Sequence, residues 1–254
     1  MTSSFFGNIK QWEFQWEGQK AKLPVFYYDN TSLTAIYTAT SAKVRNLLPR
    51  PEMHPIEMTP GRCLIAFTAF EYRKTDIDPY NEFSIAFLVT FGVPQVPALT
   101  AGWQLLRRRF SAYVWQLPVT TEIARYGGVE MYGYPKFLAD IDFSRTTDSI
   151  TCDLTAGGQH VLSLKSRVLP TATGKQLRFV TYSVKDGIPL VANVLTNPIE
   201  FAESRSGDAA VVTLGQHPIA ETLRGLDMSP KPVVVQYAPR TEAILFAGRN
   251  LADH

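Results

Sequence analysis

An α+β fold dominated by antiparallel strands is what this sequence predicts, and three observations predict it. Apolar and polar residues alternate with period 2 over much of the chain, the pattern of strands that bury one face. Short turn signals built from glycine, proline and aspartate separate those runs. Stretches of helical period are few and short, which places helices beside a sheet instead of between parallel strands. With 254 residues, 45% of them hydrophobic and 19% charged, the chain has the apolar material for one large core, so a single domain over residues 1–254 is expected.

Each element has a local cause. Thr40 or Ser41 can cap a short helix through Val44, Leu47 and Leu48 that stops at Pro49, because proline cannot continue the hydrogen-bond ladder. Residues 150–154 and 160–164 alternate and are joined through Ala156-Gly157-Gly158, a hairpin in which glycine supplies positive φ. A second strand pair, residues 177–184 and 190–203, flanks Lys185-Asp186-Gly187. A helix is predicted over residues 217–223, with Pro218 in its first turn and Gly225 ending it. Residues 232–237 and 242–246 read as two strands across Ala238-Pro239-Arg240. So many strands imply a large antiparallel sheet, open or closed on itself.

Composition excludes several classes. A formal net charge of +2 with dispersed basic residues leaves no electrostatic footprint for nucleic acid. Cys63 and Cys152 sit beside apolar residues as buried thiols do, and with no secretory signal pattern near Met1 the expected compartment is the reducing cytoplasm. Residues 83–106 carry no charge and are long enough to cross a bilayer, but Pro94, Gln95, Pro97 and Gln104 argue against a membrane helix. Within it, residues 91–106, with Val96, Leu99, Trp103 and Leu106 followed by Arg107-Arg108-Arg109, suit either a lid over a site or a contact between subunits. His54, His160, His217 and His254 are isolated, and no nucleotide cradle or nucleophile elbow is present, so no metal or cofactor is expected.

Two motifs carry chemistry. Residues 128–138 read Gly-Val-Glu-Met-Tyr-Gly-Tyr-Pro-Lys-Phe-Leu, and residues 80–82 read Tyr-Asn-Glu. Together with Thr34-Ala-Ile-Tyr37 and Leu47-Leu48-Pro49, in this order, they resemble the acetoacetate decarboxylase superfamily over most of the chain. In that family a Gly-x-Glu is followed by an aromatic residue, a proline and two adjacent lysines, of which the first forms a Schiff base with a keto acid. The resemblance implies a barrel-like or cone-shaped antiparallel sheet with a few short helices, a small-molecule carbonyl substrate and a homo-oligomer. It puts Lys136 at the reactive position, Glu82 at a substrate-facing glutamate and Glu130 beside them.

The departures from the pattern are as informative as the matches. Phe137 replaces the second lysine, Asn30 falls where the family places an arginine before its first strand, and a second pocket glutamate falls near Ala66 or Phe67. In another register Glu130 and Met131 would replace the lysine pair. In acetoacetate decarboxylase itself the reactive lysine is activated by desolvation or by a cationic neighbour, and Phe137 can supply only the first. An imine serves decarboxylation, dehydration or aldol chemistry alike. Lys136 otherwise reads as a strand-end cation that pairs with Glu130 or holds a substrate carboxylate. Glu82 and Glu130 could also act as an acid-base pair without an imine, or the chain could bind a small molecule without chemistry. Arg125 is a candidate for an anionic substrate group and Tyr113 for a pocket wall.

Overall fold

A computed structural model describes residues 3–7, 9–16 and 19–251. His254, set aside above as an isolated histidine, lies outside the described residues.

Seven strands close into a barrel. Tyr80–Phe91 pairs with Arg109–Gln116, and the ring continues through Leu177–Lys185, Ile188–Ser204, Val234–Leu245, Val25–Thr40 and Arg62–Thr75 before returning to Tyr80–Phe91. Every neighbouring pair is antiparallel except Arg109–Gln116 with Leu177–Lys185. Parallel neighbours need a long crossover. Here the intervening chain supplies a helix, Glu122–Tyr132, and three strands of a second sheet, Asp140–Arg145, Ser149–Ala156 and Gln159–Arg167. Ala210–Leu214 adds the fourth strand of that sheet.

The second sheet buries Ile150, Cys152 and Leu154 in one cluster with Leu33, Ile65, Phe67, Phe83, Ile85 and Phe87 of the barrel. Strand alternation then turns the neighbouring residues of the same barrel strands to the opposite face. Tyr72 and Tyr80 belong there, in a separate cluster with Tyr27, Val119, Tyr132 and Tyr134. The candidate site is built on this second face.

Both predicted hairpins form. Gly157 and Gly158 turn the first with φ of +56° and +75°, and Asp186 and Gly187 turn the second with φ of +51° and +77°. The strands predicted on either side of Ala238-Pro239-Arg240 are instead one, Val234–Leu245. Its pairing with Val25–Thr40 slips at Ala238/Thr241 and again at Thr241/Ala243, so bulges absorb the proline that reads as a turn.

Four helices among the described residues decorate the sheets: α1 Ser41–Arg45, α2 Leu99–Arg107, α3 Glu122–Tyr132 and α4 Pro218–Arg224. The sequence reading anticipates α4 and the start of α1, which ends at Arg45 instead of running on through Leu47 and Leu48. In α4 the imidazole of His217 accepts a hydrogen bond from the Ile219 N–H, while α1 has no side-chain cap at Thr40. It omits α2 and α3. Each internal glycine costs a helix about 1 kcal/mol, and α3 contains the pair Gly127-Gly128. No helix among the described residues is long and apolar enough to cross a membrane. The apolar stretch of residues 83–106 is split between a barrel strand, a loop and α2. Cys63 and Cys152 are buried and form no disulfide.

Candidate functional site

Glu82 lies on the barrel strand Tyr80–Phe91, directly opposite Phe70, and Tyr80 lies opposite Tyr72. These residues share a face because antiparallel partners point the same way. The Tyr72 hydroxyl donates to Glu82 Oε1 at 3.3 Å. Glu82 Oε2 accepts from Lys136 Nζ at 2.7 Å, and the two side chains are only 8% and 6% exposed. Ionised groups so far from water require a partner, and each is the other's.

The path that brings Lys136 there starts in α3. Gly133 ends the helix in the left-handed region at φ +61°, which glycine adopts without penalty. The Gly133 N–H bonds to the Val129 carbonyl at 3.0 Å and the Tyr134 N–H to the Gly128 carbonyl at 3.1 Å, so the chain folds back along the helix it has left. The Lys136 side chain then crosses α3 at Gly128, where a Cβ would overlap its Cδ and Cε. Only a residue without a side chain leaves that passage open. Beyond it the ammonium lies 5.5 Å from the centre of the Tyr80 ring, a cation–π distance. Lys136 therefore sits in a loop after a helix, which corrects the strand-end reading.

Buried phenols surround the pair. Tyr27 and Tyr80 share a hydrogen bond of 3.3 Å between hydroxyls, and Tyr134 bonds to Thr181 Oγ1 at 2.6 Å. Burial, followed by the Glu82 charge, pushes Tyr27, Tyr72 and Tyr80 above the ordinary phenol value. Tyr134 is raised chiefly by burial. These rings stay neutral and offer hydrogen-bond donors rather than charge. Of them only Tyr80 stands in a motif singled out in the sequence, apart from Tyr134 beside the lysine itself. Tyr27 and Tyr72 become neighbours of Glu82 through strand pairing across distant segments, and the signal available for them was their place on alternating strands.

A cavity of about 440 Å³ adjoins the site, with Lys136, Tyr27, Gly128, Tyr132 and Tyr134 in its wall. Arg125 also lines it, while its guanidinium is bonded to Glu122 one turn earlier on α3. The remaining predicted residues are not in its wall. Asn30 is buried opposite Tyr72, and its amide donates to the Thr241 carbonyl at 2.8 Å. Phe137 and Tyr113 pack on the cluster of the second sheet, not on the one that holds Tyr80 and Tyr134. Glu130 is exposed on α3 and pairs with Lys185 at 2.6 Å, not with Lys136 or Arg125. Ala66 faces Ala86 on the side of the sheet that carries Glu82, whereas Phe67 is fully buried on the opposite side. Of the two positions, Ala66 is the one that shares a face with Glu82.

The model of the acetoacetate decarboxylase family matches residues 15–253. The chain belongs to the acetoacetate decarboxylase family. Among solved structures, it is similar to acetoacetate decarboxylase from Legionella pneumophila, with a TM-score of 0.65 and 14% identity over 91% of this chain and 88% of that one. The enduracididine biosynthesis enzyme MppR complexed with pyruvate aligns at a TM-score of 0.62 and 15% identity, over 91% of both chains. An acetoacetate decarboxylase-like enzyme from Sphingomonas wittichii RW1 aligns at 0.55 and 15%, over 90% of this chain and 92% of that one. No curated protein sequence matches. At such identities the alignments establish the acetoacetate decarboxylase fold, and the chemistry has to be argued from this member's own side chains.

Proposed function

We propose that this acetoacetate decarboxylase family member forms a Schiff base between Lys136 and the carbonyl of a keto acid or related compound, with Glu82 as its proton-transfer partner. One observation carries the reading: the Lys136 amine and the Glu82 carboxyl meet at 2.7 Å, both buried, beside a cavity that the lysine lines. An amine attacks a carbonyl only when neutral. Glu82 accepts the proton that Lys136 sheds, the amine adds to the carbonyl carbon, and the carboxylic acid returns the proton as the carbinolamine oxygen leaves as water. The protonated imine then draws electrons from a bond at the neighbouring carbon. Decarboxylation, dehydration and aldol-type steps all fit that electron sink. Arg125, in the cavity wall, is a cation for a substrate carboxylate, provided that it leaves Glu122.

The alternative without an imine requires Glu82 and Glu130 in one apolar cavity. The exposed Glu130–Lys185 ion pair speaks against it. Incubation with pyruvate and longer 2-keto acids followed by borohydride reduction tests the proposal. A reduced adduct at Lys136, located by mass spectrometry and absent in Lys136→Met, is expected; failure of every keto acid that is turned over to leave an adduct would remove the imine.

Homo-oligomerisation belongs to the same reading. Val96, Leu99, Trp103 and Leu106 are more than half exposed on and before α2, and apolar surface of that kind is usually covered by a partner or acts as a lid. Light scattering on the eluted protein is expected to give a multiple of the 28.4 kDa chain mass. A monomer at tens of micromolar would leave the lid.

A further inference from the structure

The cavity beside Lys136 is larger and greasier than a short keto acid needs. Its volume of about 440 Å³ lies within the range of roughly 300–1,000 Å³ typical of pockets that enclose drug-sized ligands. Val25, Ile77, Ile123, Met131 and Leu245 form apolar parts of its wall. Tyr132 also lines it, stacked on Tyr134 with centroids 5.3 Å apart and planes within 7°. Tyr132 is 4% exposed overall, and its hydroxyl is buried with no hydrogen-bond partner among the described residues. No water-sized space adjoins that hydroxyl, so what Tyr132 offers the cavity is its ring. Gly127 adds room on the same side, because a Cβ there would meet nothing within 4 Å.

We infer that the cavity takes a carbonyl compound bearing an aryl or branched-alkyl group, with the apolar body against Ile123, Met131 and Leu245. The inference rests on the proposed imine only for the position of the carbonyl. Recognition of the apolar body stands apart from it.

The test is arranged so that the two fail separately. Binding of 4-phenylbutanoate, which has no ketone and cannot form an imine, is compared with that of butanoate by calorimetry on the full chain. Phenylbutanoate is expected to bind at least about tenfold more tightly, consistent with burial of its ring. Ile123→Trp and Met131→Trp, which fill the cavity from two positions, are expected to remove that preference while melting within a few degrees of the parent. Equal affinity for the two acids, in protein that still forms a borohydride adduct at Lys136 with pyruvate, would overturn the inference and leave the imine intact. Tight phenylbutanoate binding without any adduct would overturn the imine and leave the apolar site.

Discussion

At Gly128 the family's motif has a steric meaning that its spelling does not reveal. A methyl group there meets Cδ and Cε of Lys136, the flexible part of a side chain, so the lysine can swing away while the backbone stays. Gly128→Ala is therefore expected to fold and to lose borohydride trapping at Lys136 by about tenfold or more. The adjacent Gly127→Ala meets no atom, and its gain in helix propensity of about 1 kcal/mol should raise stability. Trapping and melting temperature on the two variants check the contrast; equal behaviour would mean that the passage at Gly128 is not what admits the lysine. The Lys136–Glu82 pair gives a second expectation. Lys136→Met leaves a buried carboxylate without its cation and should cost roughly 3–5 kcal/mol, whereas Lys136→Met with Glu82→Leu should recover most of it. A denaturant double-mutant cycle measures this. Additive losses would mean that the two groups are not coupled.

The elements show why half of this site was legible and half was not. Tyr80, Glu82 and Lys136 stand in short motifs, and the hairpins at Gly157-Gly158 and Asp186-Gly187 follow from residues that favour positive φ. Helix α3 carries Gly127-Gly128 against its own propensity, and long-range packing of Ala124, Gly128 and Tyr132 compensates. A reading of local preference therefore missed the very helix that aims Lys136. The loop that follows depends on Gly133, which pairs a left-handed φ with close approach to the Cβ of Lys185. Gly133→Ala is expected to destabilise the protein by more than about 1 kcal/mol and to weaken trapping at Lys136, since helix end and lysine loop are one continuous turn. Unfolding by denaturant and adduct formation report the two effects. Unchanged values in both would sever the cap from the site.

Across the whole molecule, the ring of strands gathers phenols from distant segments around one carboxylate. Tyr27, Tyr72, Tyr80 and Tyr134 come from three strands and a loop, and burial raises all of them above the ordinary value of 10.0. Raised pKa values in the folded state mean that the unfolded chain releases these protons first. The stability they support is present in full below about pH 10 and falls as pH climbs from there through the folded values, by about 1.4 kcal/mol per phenol per unit. Denaturation midpoints between about pH 8 and 11, followed with phenolate absorbance, should show these rings ionising together with unfolding. Ionisation near the ordinary phenol value in the intact fold would contradict their burial.

Alternation and turn chemistry determined by themselves that this chain is a strand-rich α+β protein, and the family resemblance carried by two short motifs named Lys136 and Glu82 as candidates, because each of these signals resides in neighbouring residues. Only the tertiary structure decided which partners count. Strand register set Tyr72 against Glu82 and Ala66 on the same side of the sheet, and a helix end turned Lys136 inward while Glu130 went to Lys185 at the surface. Register and helix direction are fixed by packing between segments far apart in the chain, and no short stretch of sequence contains that energy.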